Sequence, residues 1–234
     1  KRSSLTETSV TGAFAPQSPT SPNSEEHIML NQNFQPKQFS DLVFEDVCVK
    51  QRLCAYASGK RDGHIILYGD YGTGKSTAAK IIAETRCDDE TAGFVDVIHA
   101  RDASIEMERS LLRISNGFNI QQMMGINTPY AVIDEADQLS EINQHHLRAF
   151  MDNAIGCVIL TTNHIHALDK GIRDRSDEVE IKSLTPNAVF ERANNILKAQ
   201  GIVVEQSFLL RLLSTTSGSW RDVARALDDF VYSK

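Results

Sequence analysis

The amino-acid sequence predicts an α/β fold: a domain with a five-stranded parallel sheet, followed by a small C-terminal all-α lid domain. Short apolar runs alternate with helical patterns between residues 64 and 183. Strands that alternate with helices form parallel sheets covered on both faces. After Pro186 the strand-like runs stop and three helical patterns remain. We therefore divide the chain into a tail (1–30), an α/β domain (31–183) and a helical lid (184–234).

Composition limits the classes of protein that fit. The chain has 234 residues, 41% of them hydrophobic, and a net charge of −7. These values allow an ordinary core and argue against a wholly basic nucleic-acid coat, although a local basic face remains compatible with them. No apolar run reaches the roughly 18 residues of a membrane span, and no signal peptide opens the chain. We therefore expect no membrane partner and a cytoplasmic location, or a nuclear one in a eukaryote.

Cysteine and histidine spacing offers no metal motif. The four cysteines lack CxxC or CxxxC spacing, so we expect reduced thiols. The histidines lack the helical i, i+4 spacing of a zinc protease. Residues 1–30 are rich in Ser, Thr and Pro and poor in large apolar residues, which predicts a disordered tail. Order is expected to begin near "NFQPKQFSDLVFED", residues 33–46.

The individual elements follow from apolar runs and their flanking signals. The predicted strands are "HIILYG", "GFVDVIHA", "PYAVIDEAD", "GCVILTTN" and "DEVEIKSL". The predicted helices are "KSTAAKIIAET", "SIEMERSLLRIS", "SEINQHHLRAFMD", "NAVFERANNILKAQG", "EQSFLLRLLSTTSG" and "SWRDVARALDDFVYSK". Ser104 is a plausible N-cap for the second of these helices. Gly201 and Gly218 are expected to end the first two helices of the lid as C-caps.

A glycine-rich stretch between the first strand and the first helix predicts a phosphate site. Gly69-x4-Gly74-Lys75-Ser76 fits the phosphate-binding loop pattern in full. Glycines let successive backbone N–H groups point into one concavity, and the helix that follows adds its positive end. Lys75 should reach the β- and γ-phosphates and Ser76 should ligate Mg²⁺, so ATP and Mg²⁺ are the expected cofactors. The nucleotide-binding residues of the loop are Gly69, Asp70, Tyr71, Gly72, Thr73, Gly74, Lys75, Ser76 and Thr77. The alternative is a strand-to-helix turn without a ligand.

Two further strand ends carry polar groups suited to hydrolysis. In "AVIDEAD", Asp134 follows a buried strand and should hold the Mg²⁺ shell, while Glu135 should polarise the attacking water. In "ILTTN", Asn163 ends a strand and can hold the lytic water and sense the γ-phosphate. The alternatives are two solvated acids that open a loop and an ordinary strand-terminal asparagine.

These motifs together resemble AAA+ ATPases, and more narrowly the clamp-loader branch, which includes replication factor C small subunits and the phage clamp-loader ATPase subunit. The resemblance runs from about Asn33 to the C-terminus. It rests on "NFQPKQFSDLV", "GDYGTGKST", "VIDEADQLS", "NQHHLRAFMD", "ILTTNHIHALDKGIRDRSDEVEI" and "GSWRDVARAL". The sequence ends after the lid, before the helical collar domain that clamp-loader subunits carry.

The resemblance implies roles for several residues outside the loop. Asn163 corresponds to sensor 1 and Arg221 to sensor 2, an arginine of the lid that touches the γ-phosphate in its own subunit. Arg175 corresponds to the arginine finger that acts on ATP in a neighbouring subunit, and Arg148 to a second basic residue at that interface. The nucleotide should also contact the N-terminal segment, which contains Phe34 and Pro36.

A finger that acts in trans implies a homo- or hetero-oligomeric ring or spiral of AAA+ subunits. Two departures from the family pattern stand out. Asp174-Arg175-Ser176 replaces Ser-Arg-Cys, so an aspartate beside the finger is expected to restrain or partly neutralise it, and Gln35 stands where the family usually has arginine. The alternative interpretation of Arg173 and Arg175 is a solvated charged loop.

Three functions remain open at this stage. In the first, ATP drives a DNA-associated machine, with helices such as 104–115 and 141–152 around a central passage and Arg109 and Arg113 on DNA phosphates. Its protein partner could be a sliding clamp, or it could act in transposition or branch migration. The second is a protein-remodelling ATPase with a pore loop in "NGFNIQQMMGINTP", which contains Phe118, Met123 and Met124. The third is a nucleotide-gated scaffold without rapid turnover.

Overall fold

A single parallel sheet of five strands forms the centre of the molecule. The computed structural model describes residues 35–87, 95–103 and 106–233. The strands are β1 (His64–Tyr68), β2 (Val97–His99), β3 (Tyr130–Asp134), β4 (Cys157–Thr162) and β5 (Ser176–Glu180), in the order β2-β3-β4-β1-β5. Each strand overlaps its predicted segment, and every pairing is parallel. The predicted α/β class is therefore confirmed, whereas the predicted tail, 1–30, lies outside the described residues.

Nine α-helices are present in the described part of the chain. They are α1 (Val47–Ala57), α2 (Lys75–Thr85), α3 (Ala100–Ala103), α4 (Met107–Met123), α5 (Glu141–Asn153), α6 (Lys170–Arg173), α7 (Pro186–Ala199), α8 (Gln206–Ser214) and α9 (Trp220–Tyr232). Short 3₁₀ turns lie at Phe39–Asp41, Ala136–Gln138 and Ile165–Ala167. None of the helices in these described ranges is long and apolar enough to cross a membrane.

The sheet has an apolar core on each face because neighbouring residues of a strand point to opposite sides. In β1, Ile66 packs into the core that includes α4 and α5, whereas Ile65 and Leu67 pack into the core that includes α1 and α2. The two cores together bury β3 and β4, the strands whose carboxyl ends carry the predicted polar site residues. A third apolar cluster lies within α7, α8 and α9, the helices predicted for the lid.

Helix α4 is longer than the sequence predicted. The predicted helix ended at Ser115, but the observed helix continues through Gly117 to Met123. Gly117 is buried, and Phe118, only 1% exposed, packs in the core under the sheet. The predicted aromatic pore loop is therefore mainly the second half of a helix. The predicted N-cap, Ser104, lies outside the described residues.

The two glycines predicted as C-caps have different roles. Gly201 follows the last turn of α7 with φ +74°, as a C-capping glycine should. Gly218 was predicted wrongly, because α8 ends four residues earlier, at Ser214. Its carbonyl instead accepts the N–H of Leu184 at 2.8 Å, and a Cβ at this position would lie 2.8 Å from the carbonyl oxygen of Leu184. Gly218 thus permits a close approach between two backbone segments.

Candidate active site

The glycine-rich loop leaves the carboxyl end of β1 and leads directly into α2. Its glycines, Gly69, Gly72 and Gly74, have φ of +142°, +74° and +91°, a region that side-chain-bearing residues rarely adopt. A Cβ on Gly69 would also lie 2.2 Å from the carbonyl oxygen of Ile181. Helix α2 begins at Lys75, so its positive end adjoins the loop.

Lys75 is held at the base of this loop. Its side chain is buried, and its ammonium group donates to the carbonyl oxygens of Gly69 at 2.9 Å and Asp70 at 2.5 Å. Burial lowers the pKa of Lys75, and the carboxylates of Asp70 and Asp134 act in the opposite direction. The loop therefore contains a cation that its own carbonyls keep in place.

The two residues predicted to hold Mg²⁺ are in direct contact. Ser76 Oγ donates to Asp134 Oδ1 at 2.6 Å, and Thr161 Oγ1 donates to the same oxygen. His99 Nδ1 lies 3.4 Å from the other oxygen, Oδ2. Carboxylate and hydroxyl oxygens suit Mg²⁺, which commonly takes one or two protein ligands together with phosphates and waters. The hydroxyl of Ser76 and the carboxylate of Asp134 therefore fit a phosphate-bound Mg²⁺ by their chemistry. In the described ranges no cluster of three or more His, Cys, Asp or Glu residues that could hold a metal is found.

Glu135 adopts an unusual backbone conformation next to Asp134. Its φ is +56°, which is the left-handed region, and it is the single non-glycine residue with positive φ in the described part of the chain. Its N–H donates to Thr161 Oγ1 at 3.1 Å, and its carboxylate accepts from Gln138 Nε2 at 2.8 Å. Thr161 therefore holds both acids of the motif. Sequence reasoning missed Thr161 and Gln138, although the polar "TT" at the end of a buried strand was a signal for the first.

A cleft brings most of the predicted residues together. It is bordered by Gln35, Pro36, Tyr71, Gly72, Gly74, Lys75, Ser76, Thr77, Asp134, Glu135, Thr161, Asn163, Trp220 and Arg221. Both predicted sensors, Asn163 and Arg221, therefore face the same space as the phosphate loop. Of the two residues predicted in the N-terminal segment, Pro36 borders the cleft and Phe34 lies outside the described residues.

A smaller apolar cavity adjoins the cleft and shares Pro36, Gly74, Thr77 and Trp220 with it. Its other apolar walls come from Leu42, Val43, Phe44, Ala78 and Leu184. A polar end with a cation and an apolar end with an aromatic side chain match the two ends of a nucleotide.

The lid rests on the phosphate loop. The N–H of Trp220, at the start of α9, donates to the carbonyl oxygen of Gly72 at 3.0 Å, and Ser219 Oγ donates to the same oxygen at 3.3 Å. A Cβ at Gly72 would lie 2.2 Å from Ser219 Oγ. This contact places Arg221, one residue further along α9, at the cleft.

Arg175, the predicted finger, lies at the edge of the sheet formed by the amino ends of the strands, opposite the phosphate loop. In the β1–β5 register, Ser176 pairs with His64 and Glu180 pairs with Tyr68. Arg175 therefore adjoins the amino end of β1, whereas the phosphate loop follows its carboxyl end. Five residues of strand span about 13 Å, and Arg175 does not border the cleft of its own chain.

All three arginines near this edge form ion pairs. Arg148 Nη1 lies 3.1 Å from Asp169 Oδ1, and Arg173 Nε lies 2.8 Å from Glu178 Oε1. Arg175 donates two hydrogen bonds to the carboxylate of Asp152. The sequence had suggested the adjacent Asp174 as the carboxylate that restrains this arginine.

The sequence was compared with the models of known protein families. The sequence model of the ATPase family associated with various cellular activities (AAA) matches residues 65–184, just over half of the chain. The chain belongs to the AAA family. The matched residues of this AAA protein include the phosphate loop, the Asp134-Glu135 pair and Asn163, so most of the residues that border the cleft lie in the part of the chain that matches this ATPase family.

The curated relatives of the AAA protein include replication proteins. A replication factor C small subunit of Sulfurisphaera tokodaii is 26% identical over 217 residues, 90% of this chain and 64% of that protein. A replication factor C large subunit of Pyrococcus horikoshii is 23% identical over 86% of this chain and 42% of that protein. DNA polymerase III subunit gamma/tau of Mycoplasma genitalium is 26% identical over 86% of this chain and 37% of that protein. The chain thus spans about two fifths of the large subunit it matches, and its likeness to clamp-loader subunits is confirmed.

Solved structures share the fold. A RuvB variant of Thermotoga maritima superposes with a TM-score of 0.66 at 17% identity, over 86% of this chain and 66% of that one. The structure described as the Thermotoga maritima RuvB Holliday junction branch migration motor gives a TM-score of 0.59 at 18% identity, over 82% and 63%. At this identity the likeness establishes the fold of the AAA protein and no more.

Proposed function

We propose that this AAA protein hydrolyses ATP at the interfaces of a ring or spiral of AAA+ subunits and couples hydrolysis to a DNA transaction. The observation that carries the proposal is the division of the predicted catalytic groups between two edges of one sheet. The phosphate loop, the acids and both sensors lie at the carboxyl edge, and Arg175 lies at the amino edge. Stacking the amino edge of one subunit on the carboxyl edge of the next completes the set.

Within one subunit the groups at the cleft have distinct tasks. Lys75 binds the β- and γ-phosphates, and Arg221 on the lid binds the γ-phosphate. Ser76 and Asp134 hold Mg²⁺, whose charge when bound neutralises phosphate oxygens. Glu135 accepts a proton from the attacking water, which Asn163 helps to orient.

The backbone of Glu135 supports this assignment. A non-glycine residue in the left-handed region carries a strain of about 1–3 kcal/mol and persists where neighbouring contacts impose it. Here the contacts are the bond from its N–H to Thr161 and the bond from Gln138 to its carboxylate. Such strain is typical of active sites.

Two findings support DNA as the substrate. The relatives are named as replication factor C subunits and as a DNA polymerase III subunit. In addition, α4 presents Arg109 and Arg113, whose side chains are 79% and 61% exposed, on a protein that is acidic overall. Exposed arginines on one helix suit phosphate contacts. Clamp loading and branch migration are both compatible with these parts.

The protein-remodelling alternative required an exposed aromatic residue in a pore loop, and the structure does not support the residue predicted for it. Phe118, the aromatic residue of the proposed pore loop, is buried in a helix. Met123, which is 88% exposed at the end of α4, is the feature that still favours this alternative. The nucleotide-gated scaffold is disfavoured because Glu135 and Asn163 border the same cleft as Lys75.

Mixing two inactive variants tests the shared site. Arg175→Ala keeps the phosphate loop and loses the finger, and Lys75→Ala does the reverse. Each alone should lose ATPase activity in the assembly, by about 10³- to 10⁵-fold for the finger. A mixture should regain activity, because some interfaces then pair an intact loop with an intact finger. Mixed assemblies that form, as shown by co-purification of differently tagged chains, yet remain inactive would contradict the proposal.

A further inference from the structure

Asp152 and the carbonyl of Gly171 hold the guanidinium group of Arg175 from two sides. Nε donates to Asp152 Oδ1 at 2.6 Å and Nη2 donates to Oδ2 at 3.0 Å, which is a bidentate pair. Nη1 donates to the carbonyl oxygen of Gly171 at 2.8 Å. These three bonds fix both the position of the planar group and its rotation about its own axis.

These three hydrogen bonds use only part of the donor capacity of the guanidinium group. Arginine has five N–H donors, and three of them are used in these bonds. With respect to the residues that the structure describes, one N–H on Nη1 and one on Nη2, at the far end of the side chain, remain available. Arg175 and Asp152 are both partly exposed, so the pair lies at the surface. A pair of this kind presents a fixed cation to an anion outside the subunit.

Arg148 contacts the same segment of chain, at Asp169 and Gly171. Its side chain crosses Gly171, where a Cβ would lie 2.6 Å from Arg148 Cδ. Asp169 Oδ1 accepts from Arg148 Nη1 at 3.1 Å and from the N–H of Gly171 at 2.9 Å. Arg148 and Arg175 are therefore held by Asp169 and Asp152, respectively, and both contact Gly171.

The location of Asp152 is unfavourable without its partner. It lies in the last turn of α5, where the negative end of the helix dipole repels a carboxylate. The bond to Arg175 nevertheless lowers the pKa of Asp152, so the carboxylate stays ionised. A charge that its own helix disfavours, paired in a bidentate geometry with one arginine, indicates a role in orienting that arginine.

We propose that Asp152 is a positioning residue for hydrolysis in the neighbouring subunit, where it presets Arg175 for the phosphate of the bound nucleotide. This inference rests on the proposed function, in which Arg175 acts in trans. It differs from restraint, in which Asp152 would compete with the phosphate for the guanidinium group. Positioning predicts slower hydrolysis when the carboxylate is removed, and restraint predicts faster hydrolysis.

The test places Asp152→Asn on one defined edge of a mixed assembly. The active interface in the mixture pairs the finger of the Lys75→Ala chain with the loop of the Arg175→Ala chain. Asp152→Asn in the Lys75→Ala chain should lower kcat by about 10- to 100-fold with KM unchanged, because misplacing a group that acts in the transition state costs this much. The same change in the Arg175→Ala chain should have no effect, because that chain supplies no finger.

Controls separate positioning from simple loss of structure. A general effect on folding or assembly would lower kcat whichever chain carried Asp152→Asn. Asp152→Glu in the Lys75→Ala chain should restore part of the rate, because it returns a carboxylate. Glu178→Gln, which breaks the equivalent pair of Arg173, is the matched control and should leave kcat unchanged.

Each remaining outcome is decisive. An unchanged or increased kcat with Asp152→Asn in the Lys75→Ala chain overturns the inference while the proposed function stands. An inactive mixture of the two parent variants, in assemblies that demonstrably form, overturns the proposed function first and this inference with it. A loss caused by Glu178→Gln and not by Asp152→Asn would make Arg173 the oriented arginine.

Discussion

At the residue scale, Lys75 is the cation on which phosphate binding depends. Lys75→Ala should abolish ATP binding or weaken it strongly, because the loop loses the ammonium group meant for the β- and γ-phosphates. Titration calorimetry with ATP and Mg²⁺ measures the affinity directly. Lys80→Ala is the matched control, since Lys80 lies on the same helix, is exposed and pairs with Glu84. An ATP affinity that Lys75→Ala leaves intact would contradict the phosphate-loop interpretation.

Glu135→Gln should separate binding from hydrolysis. Glutamine keeps the size of the side chain and an oxygen for the bond from Gln138, but it is not a base. ATP affinity should stay near the wild-type value, while single-turnover hydrolysis in the assembly slows by about 10²- to 10⁴-fold. If turnover proceeds at the normal rate, the base is elsewhere, and Asp137, which accepts from Thr162 Oγ1 at 2.8 Å, is the next residue to test.

The single residues that sequence reasoning found and those it missed differ in a physical way. Lys75 and Ser76 follow from a contiguous motif, in which local backbone geometry alone brings the groups together. The bonds from Thr161 to Asp134 and from Arg175 to Asp152 join residues 27 and 23 positions apart. They depend on strand register and helix rotation, and neither is encoded in a local pattern.

At the scale of elements, the side chain of His64 ties the start of β1 to β4. Its Nδ1 accepts the backbone N–H of Val158 at 3.0 Å. Burial is the largest effect on this ring and lowers the pKa of His64 below its ordinary value of 6.5, even though Asp152 favours the charged form. The folded protein therefore resists protonation of a ring that the unfolded chain protonates readily.

This difference gives a signed pH dependence of stability. Between the lowered folded-state pKa and about 6.5, the unfolded chain binds more protons, so the free energy of unfolding rises with pH. The contribution of His64 is complete above the unfolded-state pKa and is lost as the pH falls below it. His64→Asn keeps an acceptor for Val158 and should reduce the change in unfolding free energy between about pH 8 and about pH 5.5. Urea titrations measure it, and a wild-type pH slope in this variant would contradict the argument.

A matched change at His166 serves as the control. His166 is exposed in a 3₁₀ turn, and its ring forms no hydrogen bond with the residues that the structure describes. His166→Asn should leave the pH slope of the wild type in place. Parallel loss of the slope in both variants would show that the dependence arises from general surface charge and not from the β1–β4 contact.

Elements were predictable where apolar residues are concentrated or recur between strands and helices that alternate. All five strands were found: β1, β3 and β4 are buried along almost their whole length, whereas Ile98 and Val179 are the single buried residues of β2 and β5. Helix α1 was missed, since it buries only Leu53, Tyr56 and Ala57, all in its second half. Its N-cap is Asp46, whose carboxylate accepts from the N–H of Cys48 at 2.7 Å. The end of α4 was misplaced because residues 116–129 were considered for a pore loop, whereas Gly117 and Phe118 are buried within the helix.

At the scale of the whole molecule, the proposed binding of DNA has to overcome the negative net charge of the protein. A net charge of −7 repels a polyanion at long range, so binding requires a local cationic surface in the assembled state. Helix α4 offers Arg109 and Arg113, which pair with Glu106 and Asp96 in the isolated subunit. The Arg109–Glu106 pair is exposed on both sides and of the kind that contributes little to stability, so exchanging Glu106 for a DNA phosphate costs little. Asp96, the partner of Arg113, is 19% exposed.

The double variant Arg109→Ala/Arg113→Ala should therefore lose DNA affinity and DNA-stimulated ATPase activity while basal activity in the assembly persists. The slope of log affinity against log salt should become shallower by about 0.9 for each DNA phosphate that the variant no longer neutralises. Arg225→Ala is the matched control: Arg225 is a similarly exposed arginine on α9, paired with Asp222, and its removal should leave the slope unchanged. Electron micrographs with an ATP analogue should show a spiral that primed DNA stabilises for the wild type and not for the double variant. If DNA neither stimulates hydrolysis nor alters the assembly of the wild type, the substrate is not DNA, and exposed Met123 at the end of α4 becomes the starting point for a polypeptide substrate.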